Sequence, residues 1–189
     1  MFFKGGDIGK LAVCGTVNDL AVAGSIPKVM SLSLIIETGF EISRLDEILK
    51  SIASQAKENN VQVVTGDTKT VEKGKADGIF INTAGIGIKH SNANLGFSRI
   101  KAGDKIIING SIGDHGLAIM SQREGINFES TLESDCAGLA GLIGELLDNF
   151  GQISFMRDPT RGGLAATLNE ISEKTNMSIE IEEAKLPVK

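Results

Sequence analysis

The chain has 189 residues, 41% of them hydrophobic and 23% charged, with a net charge of −5. This is an ordinary globular composition, long enough for one large domain or two small ones around a buried core. Lys and Arg form no cluster, which argues against nucleic acid or an anionic membrane as the main partner.

Cys14 and Cys136 are far apart and show no CxxC spacing, which argues against a disulfide framework or a zinc site and points to a reducing compartment. The opening "MFFKGGDIGK" has no apolar core of a signal peptide. No charge-free apolar stretch approaches the ~20 residues of a spanning helix. A cytoplasmic protein is expected, with no membrane and no nucleic acid among its partners. Glycine is frequent, at 23 residues, and sits at the ends of apolar runs, as tight strand-to-helix turns require.

In chain order, "VMSLSLIIE" (29–37) predicts a strand. "SRLDEILKSIASQAKENN" predicts a helix, with Leu45, Ile48, Leu49, Ile52, Ala53 and Ala56 on one face. Ser43 with Asp46 or Glu47 imitates a capping box. "VQVVT" (61–65) and "IFINTAGIGI" (79–88) predict further strands around the turn "VEKGKADG". This βαββ unit needs one helix over one sheet face. Periodicity is lost from Lys89 to Gly103, where a domain boundary is expected, with His90 solvated in the connector. Beyond it, "DKIIIN", "QISFMR" and "MSIEIEE" predict strands. "LAIMSQREG", "CAGLAGLIGELLDNF" and "LAATLNEISEK" predict helices.

Four loops pair Asp with Gly at the end of an apolar run: "TVNDLAVAG" (Asn18, Asp19), "TGDTK" (Asp67, Thr68, Lys69), "GSIGDHG" (Asp114, His115) and "RDPTRGG" (Arg157, Asp158, Thr160, Arg161). Phosphate chemistry wants such a set. Carboxylates hold Mg²⁺, cations neutralise transferring charge, and glycines admit backbone N–H groups to an anion. Each loop also has a plain structural reading. Asp19 can cap a helix, Asp67 and Lys69 can occupy a solvated turn, and Asp158-Pro159 can start a helix as N-cap and N1. Cys14 and Cys136 read first as small core residues. No Walker A loop and no GxGxxG are present, so spacing alone stops at an anion or metal site in a two-domain α/β protein.

Taken together, "GGDIGKLAVCGTVNDLAVAG", "VVTGDTK", "DGIFINTAGIG", "GDHG", "REG..FES.LESDCA" and "RDPTRGGLA..LNEI" closely resemble the HypE family of hydrogenase maturation factors, in the family's own order. The "VNDLAV" element with a following "GD" loop is similar to the wider superfamily of aminoimidazole ribonucleotide synthetase, selenophosphate synthetase and thiamine-monophosphate kinase.

The resemblance implies a PurM-like two-domain α/β fold. Residues 1–90 would form an ATP-binding and dimerisation domain that builds a β-barrel across a homodimer. Residues 101–189 would form an α/β sandwich, and ATP and Mg²⁺ would lie between the two. The family activity is ATP-dependent dehydration of a thiocarboxamide on the protein's own C-terminal cysteine, giving a thiocyanate that supplies cyanide to the iron of [NiFe] hydrogenase. Its implied partners are the carbamoyltransferase HypF and the HypC–HypD complex.

By position, Asp19 and Asp67 match metal-binding acids. Asn18, Thr68, Asp114, Arg157, Asp158 and Arg161 match nucleotide-site segments, and Lys69 and His115 match candidate catalytic positions. Compared with the family pattern, the chain is expected to lack an N-terminal Gly-rich acidic segment and the C-terminal tail, so both domains are expected to be incomplete. Neither cysteine matches the carbamoyl acceptor. A selenophosphate synthetase-like enzyme and a non-catalytic dimerising module are the alternatives.

Overall fold

A computed structural model describes residues 1–124 and 132–188. Gly125, the last residue of one predicted helix, and part of the "REG..FES.LESDCA" string fall outside these residues.

A short antiparallel hairpin, β1 (Phe2–Phe3) and β2 (Gly6–Asp7), opens the chain. Helix α1 (Ile8–Val22) follows at once. The Asp7 carboxylate starts it by accepting N–H bonds from Gly9 (2.6 Å) and Lys10 (3.2 Å), two of the donors a helix start leaves open. Val13, Val17 and Ala21 recur every four residues and are fully buried, with Cys14 beside them. The sequence patterns do not predict α1: glycines and small residues surround the helix, so no clean polar face marks it. Asp19 lies inside α1 and caps nothing.

Three strands form one sheet in the order β4–β3–β5. Strand β3 (Ser25–Glu37) runs parallel to β4 (Gln62–Val71) and antiparallel to β5 (Ile79–Lys89). Helix α2 (Ile42–Glu58) links β3 to β4. Its predicted apolar face is correct, with Ile48, Ile52 and Ala56 buried, but its start differs. Ser43 lies within the helix, and the N-cap Glu41 makes no capping bond; Glu41 instead pairs with Arg44 at 3.0 Å. Two helices, rather than the predicted one, cover the sheet. Val13 and Val17 of α1 join Ile48 and Ile52 of α2 over Met30, Leu34 and Ile79 in a single core cluster. The helices touch closely at Gly9, where a Cβ would stand 2.6 Å from the Ile48 carbonyl oxygen.

Strand pleat fixes what each sheet face carries. Thr83 hydrogen-bonds Thr16 of α1 at 2.7 Å, so Thr83 and its partner Leu32 point to the helices. Ser33, Asn82 and Asp67, one step along in register, point the other way. That outer face also carries Ile35, Phe80, Ile86 and Ile88, and Ile86 is 70% exposed. Strand β4 is longer than predicted. It runs through Gly66-Asp67-Thr68-Lys69, so these residues form an edge strand rather than a turn. Gly66 is required there, because a Cβ would approach the Leu32 carbonyl oxygen to 2.5 Å.

The connector after β5 is tied down. His90, predicted to be solvated, is 7% exposed. Its N–H donates to the Gly24 carbonyl (2.9 Å), its Nδ1 accepts from the Asn92 N–H (3.2 Å), and its Nε2 lies 3.3 Å from Asp148. Beyond the connector come α3 (Asp114–Glu124), α4 (Ala140–Asn149) and α5 (Gly163–Thr175). Of the predicted strands here, 104–109, 152–157 and 177–183, none pairs into a sheet among the described residues. A strand is defined by its partner, and Ile107 is left 90% exposed. In α4, Ile143 and Leu147 are buried with Ala21 and Ala93 in a second core cluster that joins this half to α1. No helix of the described residues is long and apolar enough to cross a membrane.

Replacing Gly9 with Ala should push α1 away from α2 and destabilise the protein by about 1–3 kcal/mol, read as a lower urea midpoint at unchanged slope. Gly15→Ala, where an added Cβ meets open space, is the matched control and should be neutral or mildly stabilising.

Candidate functional site

A cleft of about 350 Å³ lies where the C-terminal end of α1 meets the connector and the segment before α5. Val22, Ala23, Leu95 and Met156 give it apolar walls. Phe97 and Phe155 add an aromatic pair, their ring centroids 4.6 Å apart and tilted by 36°. Asp19, Arg157 and Asp158 supply its charges.

Backbone and amide bonds hold this geometry. The Gly96 N–H donates to the Ser154 carbonyl at 3.0 Å, fixing the two aromatic segments side by side. Asn18, one residue before Asp19, bridges to the segment before α4. Its Nδ2 donates to the Ala137 carbonyl (2.9 Å), and its Oδ1 accepts from the Leu139 N–H (2.8 Å). A side-chain amide that serves one carbonyl and one N–H reproduces the pairing of a strand neighbour. Asn18 is thus a clamp on the wall, and its neighbour Asp19 reaches the opening.

The charges form a mixed cluster. Burial pushes the Asp19 carboxyl above its ordinary value and repulsion from Asp158 adds to this, while Arg161 and Arg157 pull it back. Asp158 accepts a hydrogen bond from Thr160 Oγ1 (2.5 Å). Arg157 lies 3.9 Å from Asp158 and 3.1 Å from Glu170. Asp158 does not cap α5; that helix is preceded by Gly162 in the left-handed conformation. Two neighbouring carboxylates suit a hard cation, and two guanidinium groups beside them suit an anion. Sequence reasoning missed Phe97, Phe155 and Glu170. Phe155 lies two residues before Arg157, but nothing in its sequence context marks it as a wall of a cleft.

The other predicted residues lie elsewhere. Asp67, Thr68 and Lys69 are exposed on edge strand β4, with Asp67 on the sheet face turned away from α1. The Asp67 carboxylate accepts only from the Thr68 N–H, at 2.9 Å, among the described bonds. Asp114 is 2% exposed at the start of α3 and accepts from Ser111 Oγ at 2.5 Å. His115 Nδ1 shares a hydrogen bond with Ser134 Oγ (2.8 Å), and its ring stands edge-on to Phe3 at 5.3 Å. It joins the opening hairpin to the segment before α4 and does not line the cleft. The structure therefore unites Asn18, Asp19, Arg157, Asp158 and Arg161, and leaves the β4 and α3 residues apart from them.

Residues 1–89 match the family described as AIR synthase related protein, N-terminal domain, and residues 101–189 match its C-terminal domain. The chain belongs to the AIR synthase related family. Within this family it is 49% identical over its whole length to the carbamoyl dehydratase HypE of Bradyrhizobium diazoefficiens, of which it covers 55%. It also superposes on HypE in a HypE–HypF complex, with a TM-score of 0.96 and 52% identity, covering 100% of this chain and 62% of that one. HypE in complex with ATP gives a TM-score of 0.96 at 45% identity, covering 100% of this chain and 56% of that one. The chain thus spans about half the length of the curated relative it matches. As an AIR synthase related chain it has the mixed α/β, PurM-like fold expected from its motifs.

The strained state of Asp19 has a stability consequence. An acid whose folded pKa is raised binds more protons in the folded state, so stability falls as pH rises through the window that opens above its ordinary value of 3.8. Asp19→Asn should therefore stabilise the fold at neutral pH, by roughly 0.5 kcal/mol given the exposure of the carboxylate. The gain should vanish in denaturation series run below that window.

Proposed function

We propose that this chain is the nucleotide-binding part of a HypE-type carbamoyl dehydratase, working in the cytoplasm. The observation that carries the reading is the cleft: an aromatic and apolar wall beside two carboxylates and Arg157, with the charge of Arg161 felt at Asp19, in a chain similar to a HypE that binds ATP. In this reading Phe97, Phe155, Leu95 and Met156 shelter the base, which has a π-face and few charges. Arg157 and Arg161 neutralise the polyphosphate. Asp19 and Asp158 hold Mg²⁺, a cation that takes hard oxygen ligands and keeps phosphate oxygens beside carboxylates; when bound, it would screen charge on the transferring phosphoryl group. Asn18 sets the approach of Asp19, Asp114 ties down the loop before α3 through Ser111, and His115 joins the opening hairpin to the segment before α4.

The activity proposed for the whole protein follows from that site. ATP phosphorylates the oxygen of a cysteine-borne thiocarboxamide, and loss of phosphate leaves a thiocyanate for the cyanide ligands of hydrogenase iron. HypF would supply the carbamoyl group and a HypC–HypD complex would receive the cyanide. Residues 1–90 and 101–189 are proposed as two domains with the cleft at their junction.

Lys69 and Asp67 also enter this reading, but through a second copy. Within one chain the sheet separates Asp67 from Asp19. The outer face carries Ile35, Phe80, Ile86 and Ile88 exposed, a surface that a homodimeric barrel would bury. We infer that the dimer places Asp67, Thr68 and Lys69 of one copy at the Asp19 cleft of the other. Asp67 would complete the metal ligands, and Lys69 would neutralise charge developing on the γ-phosphate.

Mg²⁺-ATP titration of the chain tests the cleft. Asp19→Asn should weaken binding at least about tenfold through loss of a metal ligand, with unchanged circular dichroism. Unaltered affinity would remove Asp19 from the site. Subunit mixing tests the second copy. Asp19→Asn and Asp67→Asn chains should each bind poorly alone. Co-expressed, they should regain about one quarter of the sites, because half the dimers are mixed and each mixed dimer holds one intact pair. No recovery would place both acids within one subunit, and normal binding by the Asp67→Asn chain alone would remove Asp67 from the site.

A further inference from the structure

Cys14 and Cys136 are 122 positions apart in sequence, yet the fold brings them together. Cys14 and Asn18 lie one turn apart on the same side of α1. The two Asn18 bonds hold Ala137 and Leu139 along that side, which sets Cys136, the preceding residue, against Cys14. The packing there is tight, since a Cβ on Gly138 would collide with the Asn59 side chain. The Cys14 thiol also reaches Gln55 Oε1 of α2 at 3.3 Å.

The two sulfurs differ in environment. Cys14 is 1% exposed, whereas Cys136 is half-buried and its N–H donates to Ser134 Oγ (3.1 Å). The Cys14 thiol, hydrogen-bonded to Cys136, holds the Cys136 thiol below its ordinary value, while the same contact and burial push the Cys14 thiol up; Cys136 is also the more accessible sulfur. Lys10, one turn before Cys14, favours the Cys136 thiolate, while burial, Asp135 and Asp7 oppose it. Both sulfurs are free thiols.

We propose that Cys136 and Cys14 form a thiol–disulfide exchange pair, with Cys136 as the attacking and Cys14 as the resolving sulfur, whose oxidation locks the segment before α4 onto α1. The oxidant is a small-molecule disulfide. The Cys136 thiolate attacks one of its sulfurs, breaks that S–S bond and expels one thiolate, leaving a mixed disulfide. Cys14 then attacks the Cys136 sulfur and gives up its proton to the departing small thiolate. The intrachain S–S bond forms as the second small thiolate leaves, so one disulfide is reduced to two thiols for each protein disulfide made. The pair adjoins Asn18 and so tightens the clamp beside Asp19. It takes no part in nucleotide binding, and its test does not depend on that reading.

The reduced chain is incubated with oxidised glutathione, quenched with acid, alkylated and mapped by mass spectrometry. The wild type should show a Cys14–Cys136 link within one chain. Cys14→Ala should stop at glutathione on Cys136, and Cys136→Ala should keep a free, unmodified Cys14. In the wild type without oxidant, iodoacetamide should label Cys136 at least about tenfold faster than Cys14. If the wild type stops at glutathione on Cys136 with Cys14 free, Cys14 is not a resolving sulfur and the proposal fails; it fails too if both thiols stay free. It also fails if Cys14 is labelled as fast as Cys136. The wild-type map and labelling rates decide the matter even if a variant does not fold.

Discussion

The sandwiching of α1 is the constraint on which the rest depends. One side of this helix is buried without gaps against α2 and the sheet, through Val13, Val17 and the close approach at Gly9. A helix packed so closely cannot rotate or slide without opening voids, which protein interiors resist. Its C-terminal turn therefore stands at a fixed height and angle, and that turn carries Asn18 and Asp19. At the cleft, partial desolvation of Asp19 and repulsion from Asp158 set its carboxylate against its own ionisation. Stability in the core and discomfort at the cleft come from one helix, a common arrangement where a site must stay ready to take a counter-charge.

Much of the first half was legible from pattern alone. The helical face of α2 and the strands β3 and β5 follow from periods of 3.6 and 2, because burial on one side imposes those periods. Helix α1 escaped because it uses Gly9, Ala12, Cys14 and Gly15 and exposes Leu11, so no polar stripe contrasts with an apolar one. β4 looked short because its second half is polar, yet backbone pairing with β3 carries it on to Val71. Side-chain pattern reports burial, and an exposed edge strand has little of it. The second half was harder. Alternation in "DKIIIN" and "MSIEIEE" announces strands, but pairing partners are a property of the whole fold and leave no local mark.

The site was legible in its parts and not in its assembly. Asp19, Arg157, Asp158 and Arg161 stand out as acids and bases beside glycines, and the fold does collect them. Asp67 and Lys69 share the same local signature but lie across a sheet. Whether a residue faces one side of a strand or the other is a matter of register, which a change of one position reverses. The walls, Phe97 and Phe155, carry no local signal because an aromatic residue reads the same in a core and in a cleft. Resemblance to HypE supplied the order of the motifs, and pleat and burial supplied their geometry.

The clamp made by Asn18 also has a bearing on how the molecule comes together. Its two bonds reach Ala137 and Leu139, separations of 119 and 121 residues. The contacts among α1, α2 and the sheet span far shorter loops, whose closure costs less chain entropy. The α1–sheet unit is thus the more local part of the fold, and the second wall of the cleft is the more distant one. His90, tethered to Gly24 and Asp148, shortens the remaining search by holding the connector against α1 and α4. The opening in which Asp19 meets Arg157 therefore depends on the contacts whose loop closure costs the most chain entropy.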